Sequence, residues 1–116
     1  MEPIYHITTQ TQADEAKKVG HYSCESLETE GFVHCSYSRQ FLDVANTLFF
    51  GQQGLVVLEI DPELVNCEIR RENTVGGSEL FPHVYGVVPS SSITRVHKLR
   101  ADADGKFSMP SSFLSR

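Results

Sequence analysis

The chain has 116 residues, a length that suits one domain and leaves no room for a second. Its 15 acidic residues outnumber 10 Lys and Arg residues, and the net charge of -5 argues against nucleic acid as the main partner, because phosphate binding needs clustered basic residues. The start Met1-Glu2-Pro3 does not resemble a signal peptide, and the longest aliphatic run, residues 55–58, is too short to cross a membrane. We therefore expect a cytoplasmic protein with no membrane partner.

The chain contains three cysteines, Cys24, Cys35 and Cys67, and no CxxC or other spacing typical of structural zinc. An odd number of cysteines in a protein expected in the cytoplasm gives no reason for a disulfide framework. We expect free thiols that are mostly packed, because reduced cysteine behaves as a small apolar residue.

The first half of the chain is predicted to alternate strands and helices. In chain order, the predicted elements are a strand over residues 4–8, a helix over 13–19, a loop over 21–29, a strand over 31–36 and a helix over 40–50. Thr11 with Asp14 resembles a helix-starting box, and Gly20 is expected to end that helix. Ser36 or Ser38 is the expected cap of the second helix, which Gly51 should terminate.

The second half is predicted to consist mainly of strands. The predicted elements are a strand over residues 54–60, a strand over 67–72, a flexible loop over 73–78, a strand over 81–88 and a last strand over 93–99. The strand over 54–60 is almost entirely aliphatic, which is typical of a central strand covered on both faces. Pro82 is expected to confine the start of its strand to a sheet edge or a bulge, because proline cannot donate a ladder hydrogen bond.

This order of elements predicts an α+β fold. We expect a single domain over residues 1–100, followed by a polar C-terminal tail over residues 101–116. Four side chains could anchor that tail: Phe107, Met109, Phe113 and Leu114.

Three strand-like segments each carry a histidine: His6, His34 and His83. In the segment 31–36, alternation places Phe32, His34 and Ser36 on one face. Cys35 lies on the other face, so Cys35 and His34 cannot form a nucleophile–base pair with each other.

Several stretches taken together resemble the family catalogued as domain of unknown function 952, and the resemblance covers about residues 4–99. In chain order they are Tyr5-His6-Ile7-Thr8, Ser26-Leu27 with Glu30-Gly31-Phe32-Val33-His34-Cys35-Ser36, Val57-Leu58-Glu59-Ile60-Asp61-Pro62, and Glu79-Leu80-Phe81-Pro82-His83-Val84-Tyr85-Gly86. The resemblance implies a fold similar to the ADP-ribosyltransferase superfamily, in which two small packed sheets with flanking helices form a cleft for NAD.

The same resemblance implies roles for particular residues. His6 would grip the nicotinamide ribose, Ser36 with His34 or Tyr37 would lie beside the nicotinamide, and Glu79 would stabilise the positive charge that develops on the ribose. These roles imply binding of NAD or a related nucleotide, with ADP-ribosyl transfer or NAD hydrolysis as possible activities.

Two further residues complete the expected nucleotide site. His83 would line the same cleft. Arg39, with the start of the second predicted helix, could hold a phosphate group.

Two alternatives use the same residues. The cleft could belong to a non-catalytic module that binds a ligand or a partner protein, with the histidines bonding backbone carbonyls at strand ends. The imidazoles and a thiol could instead converge on a metal ion and support metal-assisted hydrolysis. The sequence leaves the oligomeric state and the substrate open.

Overall fold

The computed structural model describes residues 2–74 and 76–113. Within them the strands are β1 Ile4–Thr9, β2 His21–Tyr22, β3 Val33–His34, β4 Leu55–Ile60, β5 Ile69–Glu72, β6 Phe81–Val84, β7 Val88–Pro89 and β8 Ile93–Leu99. The helices are α1 Gln10–Val19, α2 Glu25–Thr29 and α3 Phe41–Leu48, and 3₁₀ turns occupy Pro62–Leu64, Ser90–Ser92 and Ser111–Phe113. The predicted α+β class is confirmed for a single small domain.

All strand pairs in the two sheets and the ribbon are antiparallel. The first sheet has the order β1-β4-β8, the second sheet has the order β3-β6-β5, and β2 pairs with β7 in a two-stranded ribbon. β4 is buried along its whole length between β1 and β8, so the predicted central strand is confirmed.

Two hydrophobic cores lie on opposite faces of the first sheet, since alternate β4 residues belong to each. One core joins this sheet to α1, the ribbon and the second sheet, through Ala16, Tyr22 and Val84 among others. The other core joins it to α3 and the C-terminal segment, through Phe41, Ala45 and Phe107. Neither face of β4 meets water.

The first helix begins at Gln10, earlier than predicted, because Thr9 and not Thr11 provides the cap. The Thr9 hydroxyl accepts a hydrogen bond from the Gln12 backbone N–H at 3.1 Å. Gly20 ends the helix as predicted, with a φ of 93° that favours glycine.

The prediction of a loop over residues 21–29 is wrong. This stretch contains β2 and α2, and Tyr22 pairs with Val88 in the ribbon. A strand of two residues is too short to show a hydrophobic period, so only its distant partner reveals it. The predicted strand over 81–88 correspondingly divides into β6 and β7.

The predicted serine cap of the second long helix is also wrong. Gln40 precedes α3 and gives it no side-chain cap, while its Oε1 accepts the Tyr37 backbone N–H at 2.9 Å. Ser36 forms an isolated bridge with Tyr5 instead. The bridge and the chain turn at 37–40 therefore fix where α3 begins.

Pro82 does not mark a sheet edge, because β6 is the middle strand of the second sheet. The Cys35 N–H donates to the Pro82 carbonyl at 3.1 Å, whereas Pro82 has no N–H to return. The paired residues of β3 end at His34, opposite His83, so the missing donor falls where that ladder stops. Proline is tolerated here at a ladder end inside the sheet.

The C-terminal segment packs on the domain as far as it is described. Phe107 is buried, and its backbone N–H and carbonyl bond the Asn46 side chain at 2.7 and 3.1 Å. Phe113 packs against the second core, Met109 is exposed, and Leu114 lies outside the described residues.

The cysteines are free thiols, with Cys35 buried and Cys24 and Cys67 half-buried. Burial raises the pKa of the Cys35 and Cys67 thiols, so the neutral thiol is the favoured form. No helix in the described part of the chain has the length and apolar character needed to cross a membrane.

We expect Phe107→Ala to lower the free energy of unfolding by about 3–5 kcal/mol, because it empties a fully buried ring position in the core beneath α3. Met109→Ala is the control, since Met109 is 41% exposed and its loss should cost no more than about 0.5 kcal/mol. Urea unfolding of both variants measures the difference. Equal stability of the two variants would show that the segment does not hold the core.

Candidate functional site

A cavity of about 330 Å³ opens where the first and second sheets meet. Its residues come from β1, from the segment around β3, from the end of α3 and from β6 with the preceding loop. They are Tyr5, His6, Ile7, His34, Cys35, Ser36, Val44, Leu48, Phe49, Thr74, Phe81 and His83. The wall is mainly apolar, with the histidines and Ser36 as its polar side chains near the two strands.

The two sheets are joined at this point by an isolated bridge between Tyr5 and Ser36. The Tyr5 N–H donates to the Ser36 carbonyl and the Ser36 N–H donates to the Tyr5 carbonyl, both at 2.7 Å. Beyond this pair the strands diverge, since Tyr5–Ser36 is an isolated bridge and the described residues contain no further pair between β1 and β3. The cavity occupies the space that the divergence leaves.

The edge of β1 in this space presents unpaired backbone groups at Ile7. Backbone bonds alternate in direction along an antiparallel strand, and Tyr5 directs its N–H and C=O away from β4 toward Ser36. Ile7, two residues on, therefore also directs its N–H and C=O away from β4. Neither group has a partner among the described residues, while the Ile7 side chain packs into the core under α3.

His6 has both ring nitrogens engaged by the protein. Nδ1 lies 2.5 Å from the His34 carbonyl oxygen, so Nδ1 must carry a proton and donate. Nε2 lies 2.8 Å from the Tyr22 hydroxyl. Burial lowers the pKa of His6 to about 4, although the hydrogen bond to the His34 carbonyl opposes this shift, so the ring is neutral near pH 7.

A chain of hydroxyl and amide groups continues from His6 toward the surface. The Tyr22 hydroxyl lies 3.1 Å from the Thr8 hydroxyl, which lies 2.5 Å from the Gln12 side-chain amide. Burial raises the pKa of Tyr22, so its single proton stays on the hydroxyl. Because Nδ1 donates to the His34 carbonyl, Nε2 of neutral His6 accepts from the Tyr22 hydroxyl, while the Thr8 hydroxyl donates to Gln12 Oε1.

Two other histidines line the cavity, and each is bonded to a carboxylate. His34 Nε2 lies 2.6 Å from Glu30, and His83 Nδ1 lies 3.0 Å from Glu72, which also accepts the Tyr85 hydroxyl. Burial lowers the pKa of His83, and its bond to Glu72 opposes that effect.

Ring contacts hold these two imidazoles in place. The His83 ring stacks on Phe32 with centroids 4.3 Å apart, and the His34 ring meets the His83 ring edge-on at 5.0 Å. The two imidazoles therefore have defined orientations on this side of the cavity.

Of the predicted site residues, the structure brings His6, His34, Ser36 and His83 together around the cavity. Glu79 and Arg39 do not line it. They face a separate depression with Gln40, Asp43, Arg71 and Leu80.

Both of these outlying residues have protein partners. Glu79 accepts a hydrogen bond from Gln40 Nε2 at 2.9 Å. Arg39 pairs with Glu2 at 3.5 Å and lies over the Tyr37 ring. Tyr37, the alternative neighbour of the nicotinamide, is buried in the first core.

The sequence prediction missed the backbone of Ile7 and the rings of Phe49 and Phe81. The signal for Ile7 was its place beside His6 on the first strand, but an unpaired edge is visible only once the partner strands are known. Phe81 follows the predicted Glu79 in sequence and lines the cavity that Glu79 does not.

The described residues include no group of three or more His, Cys, Asp or Glu side chains placed to hold a metal ion. His6 in particular offers no free ring nitrogen, because one bonds a carbonyl and the other a hydroxyl. The three imidazoles therefore meet at a cavity without converging on a coordination point, and the geometry gives the metal alternative no support.

The model of the family "Protein of unknown function (DUF952)" matches residues 7–96. The crystal structure of protein CC0527 from Caulobacter crescentus is 31% identical over 98% of this chain and 99% of that chain, with a TM-score of 0.84. The solution NMR structure of CC0527 is 32% identical over 99% of this chain and 98% of that chain, with a TM-score of 0.76. The names of these structures state no ligand or activity, and no curated protein matches the chain.

Protonation of His6 should weaken the fold in acid. Its pKa falls from 6.5 to about 4 on folding, so between these pH values the unfolded chain holds more protons than the folded one. The free energy of unfolding that depends on neutral His6 is fully present above pH 6.5 and is lost as the pH falls through 4, by up to about 3 kcal/mol.

Urea unfolding of the wild type and His6→Gln from pH 7 to pH 4 measures this loss, since the variant lacks the titrating ring. The stability difference between the two proteins should shrink on acidification if the wild type is the more stable at pH 7. A difference independent of pH would contradict the neutral, half-buried state of His6.

Proposed function

The chain belongs to the family described as "Protein of unknown function (DUF952)", and we propose a function for it from the cavity, because the family name gives no activity. The proposed function is binding of NAD or a related nucleotide through its nicotinamide ring, without group transfer. The observation that carries this proposal is the unpaired N–H and C=O of Ile7 at the cavity edge. A ligand that satisfies both groups gains two hydrogen bonds that the free protein gives to water.

A primary carboxamide fits this edge. Its oxygen accepts one hydrogen bond and its NH₂ group donates another, which is the pattern with which an extended strand residue pairs. Nicotinamide carries this group in the plane of an aromatic ring. The pairing resembles the addition of one residue of a strand to an open sheet edge.

The walls of the cavity suit the ring. Phe49, Phe81 and the imidazoles of His34 and His83 surround it with flat surfaces, and aromatic contacts of this kind add about 0.5–1.5 kcal/mol beyond burial. The volume of about 330 Å³ lies at the lower end of ligand cavities, which range over about 300–1,000 Å³. The nicotinamide end of a nucleotide would enter, and the adenosine end would lie outside.

The charge of the cavity favours binding over transfer. Cleavage of the glycosidic bond develops positive charge on the ribose, which a carboxylate in the site must stabilise. None of the described lining residues is acidic, and Glu79 lies on the separate depression. Glu30 and Glu72 stand behind His34 and His83 and are bonded to them.

His6 acts in this account as a positioning residue. The resemblance to the ADP-ribosyltransferase superfamily would have His6 bind the ribose, but both of its ring nitrogens form hydrogen bonds within the protein. Its Nδ1–H holds the His34 carbonyl, which lies on the strand across from Ile7. It thereby keeps the cavity open beside the Ile7 edge.

Ligand analogues test the carboxamide pairing directly. Nicotinamide and benzamide should bind with similar affinity, since both keep the carboxamide, whereas 3-acetylpyridine lacks the NH₂ donor and nicotinic acid places a carboxylate against the Ile7 carbonyl. Losing one hydrogen bond should weaken binding about fivefold to tenfold, corresponding to about 1 kcal/mol. Titration calorimetry at millimolar ligand measures the series.

Glu79→Gln is the matched control variant, because Glu79 lies outside the cavity. This variant should bind NAD with unchanged affinity and should not cleave nicotinamide from it. Calorimetry with NAD, ADP-ribose and nicotinamide should give heat with the first and third ligands. Heat with ADP-ribose alone would place the ligand elsewhere on the surface. No heat with any of the three would reject nucleotide binding and favour the protein-binding alternative.

A further inference from the structure

A second polar cluster lies away from the cavity, on the face of the first sheet that α3 and the C-terminal segment cover. Glu59 on β4 lies diagonally across from His97 on β8, which pairs with Val57, and His97 Nε2 lies 2.7 Å from Glu59 Oε1. On the other side of the ring, His97 Nδ1 lies 2.5 Å from the Ser112 hydroxyl. A hydroxyl, an imidazole and a carboxylate thus form a continuous hydrogen-bonded line.

The proton positions in this line follow from the donor inventory. A carboxylate only accepts, so Nε2 carries the proton toward Glu59, and Nδ1 then accepts from the Ser112 hydroxyl. This is the tautomer in which the imidazole can take a proton from serine while the carboxylate stabilises the resulting imidazolium. The geometry is that of a nucleophile, a general base and an orienting group.

Burial of Glu59 and His97 costs desolvation free energy that a purely structural role does not explain. His97 is 1% exposed and Glu59 is 6% exposed, among apolar neighbours such as Val57 and Phe113. Taking a carboxylate and an imidazole out of water costs several kcal/mol, and a well-packed apolar pair at such positions is often at least as stable. Packing alone does not require these two side chains.

Ser112 itself reaches the surface. It is half-buried and lines a groove of about 560 Å³ between β8 and the C-terminal segment. Lys98 and Arg100 line the same groove, together with Val96 and Met109, which are both partly exposed. Ser112 thus borders a basic groove with apolar patches, while His97 lies beside it in the core.

We propose that Ser112, His97 and Glu59 form an acyl-transfer site for small carboxylic esters that carry an anionic group. The Ser112 oxygen attacks the ester carbonyl as its proton passes to His97 Nδ1, and the alkoxide leaves with that proton, so an acyl-serine forms. Water, deprotonated by His97, then releases the acid and restores the serine. Glu59 is the positioning residue, and Lys98 and Arg100 attract the anionic group.

The test uses the full chain with a fluorophosphonate probe and two p-nitrophenyl esters, the neutral acetate and the anionic mono-succinate. We expect the probe to label Ser112, identified by peptide mass spectrometry, and the succinate to be hydrolysed faster than the acetate. Ser112→Ala should abolish labelling and hydrolysis, and Ser111→Ala, a change of the exposed neighbouring serine, should leave both unchanged. Lys98→Gln should lower the succinate-to-acetate ratio about fivefold or more.

Glu59→Gln tests whether Glu59 orients His97 for catalysis or only supports the fold. It should lower the labelling rate about 100-fold or more, within the range typical of general acid–base catalysis, and should move the rise of that rate to lower pH. Circular dichroism and thermal unfolding of each variant identify loss of fold, and the Ser112→Ala and Ser111→Ala pair keeps the test independent of Glu59. Equal labelling of wild type and Ser112→Ala, or no labelling of folded wild type, would overturn the proposal.

Discussion

The arrangement of the two sheets depends on one pair of backbone hydrogen bonds, the reciprocal bonds between Tyr5 and Ser36 at 2.7 Å. In a continuous antiparallel ladder, the next pairing would place His34 opposite Ile7. That pairing does not form among the described residues, and the His34 carbonyl instead accepts a hydrogen bond from His6 Nδ1. The His6 side chain on β1 therefore bonds the His34 carbonyl, which a longer ladder between β1 and β3 would have used as an acceptor.

This hydrogen bond, in place of a further strand pairing, explains why a cavity lies between the two sheets. The His6 ring is wedged between the strands and is held at its other nitrogen by Tyr22 on the ribbon. The open edge at Ile7, the imidazole faces and the rings of Phe49 and Phe81 follow from the gap that remains. Keeping His6 neutral in this setting avoids a desolvated charge, and the His34 carbonyl and the Tyr22 hydroxyl satisfy the two ring nitrogens without a carboxylate.

The sequence predicts those features that short-range pattern determines. β4 is recognisable because aliphatic residues fill both of its faces, and Gly20 marks the end of α1 because a φ of 93° suits glycine. β4 and the end of α1 are thus signalled by their own neighbours in sequence. The grouping of His6, His34, Ser36 and His83 is instead expected from the family resemblance of their motifs taken together.

The features that the sequence does not predict depend on distant partners. β2 has two residues and exists because Val88 pairs with Tyr22, far along the chain. Glu79 is close in sequence to Phe81 and His83, yet Gln40 holds it on another surface. The line from Glu59 through His97 to Ser112 joins three elements, and no local pattern connects them.

The central claim is that the β1 edge at Ile7 is open in the free protein and is the place where a carboxamide binds. Amide hydrogen exchange, followed by NMR, tests it most directly. In the free protein, the Ile7 amide should exchange much faster than the amides of His6 and Thr8, which face β4, and nicotinamide should slow the exchange of Ile7 selectively. An Ile7 amide as protected as its two neighbours, or one that saturating nicotinamide leaves unchanged, would contradict the account.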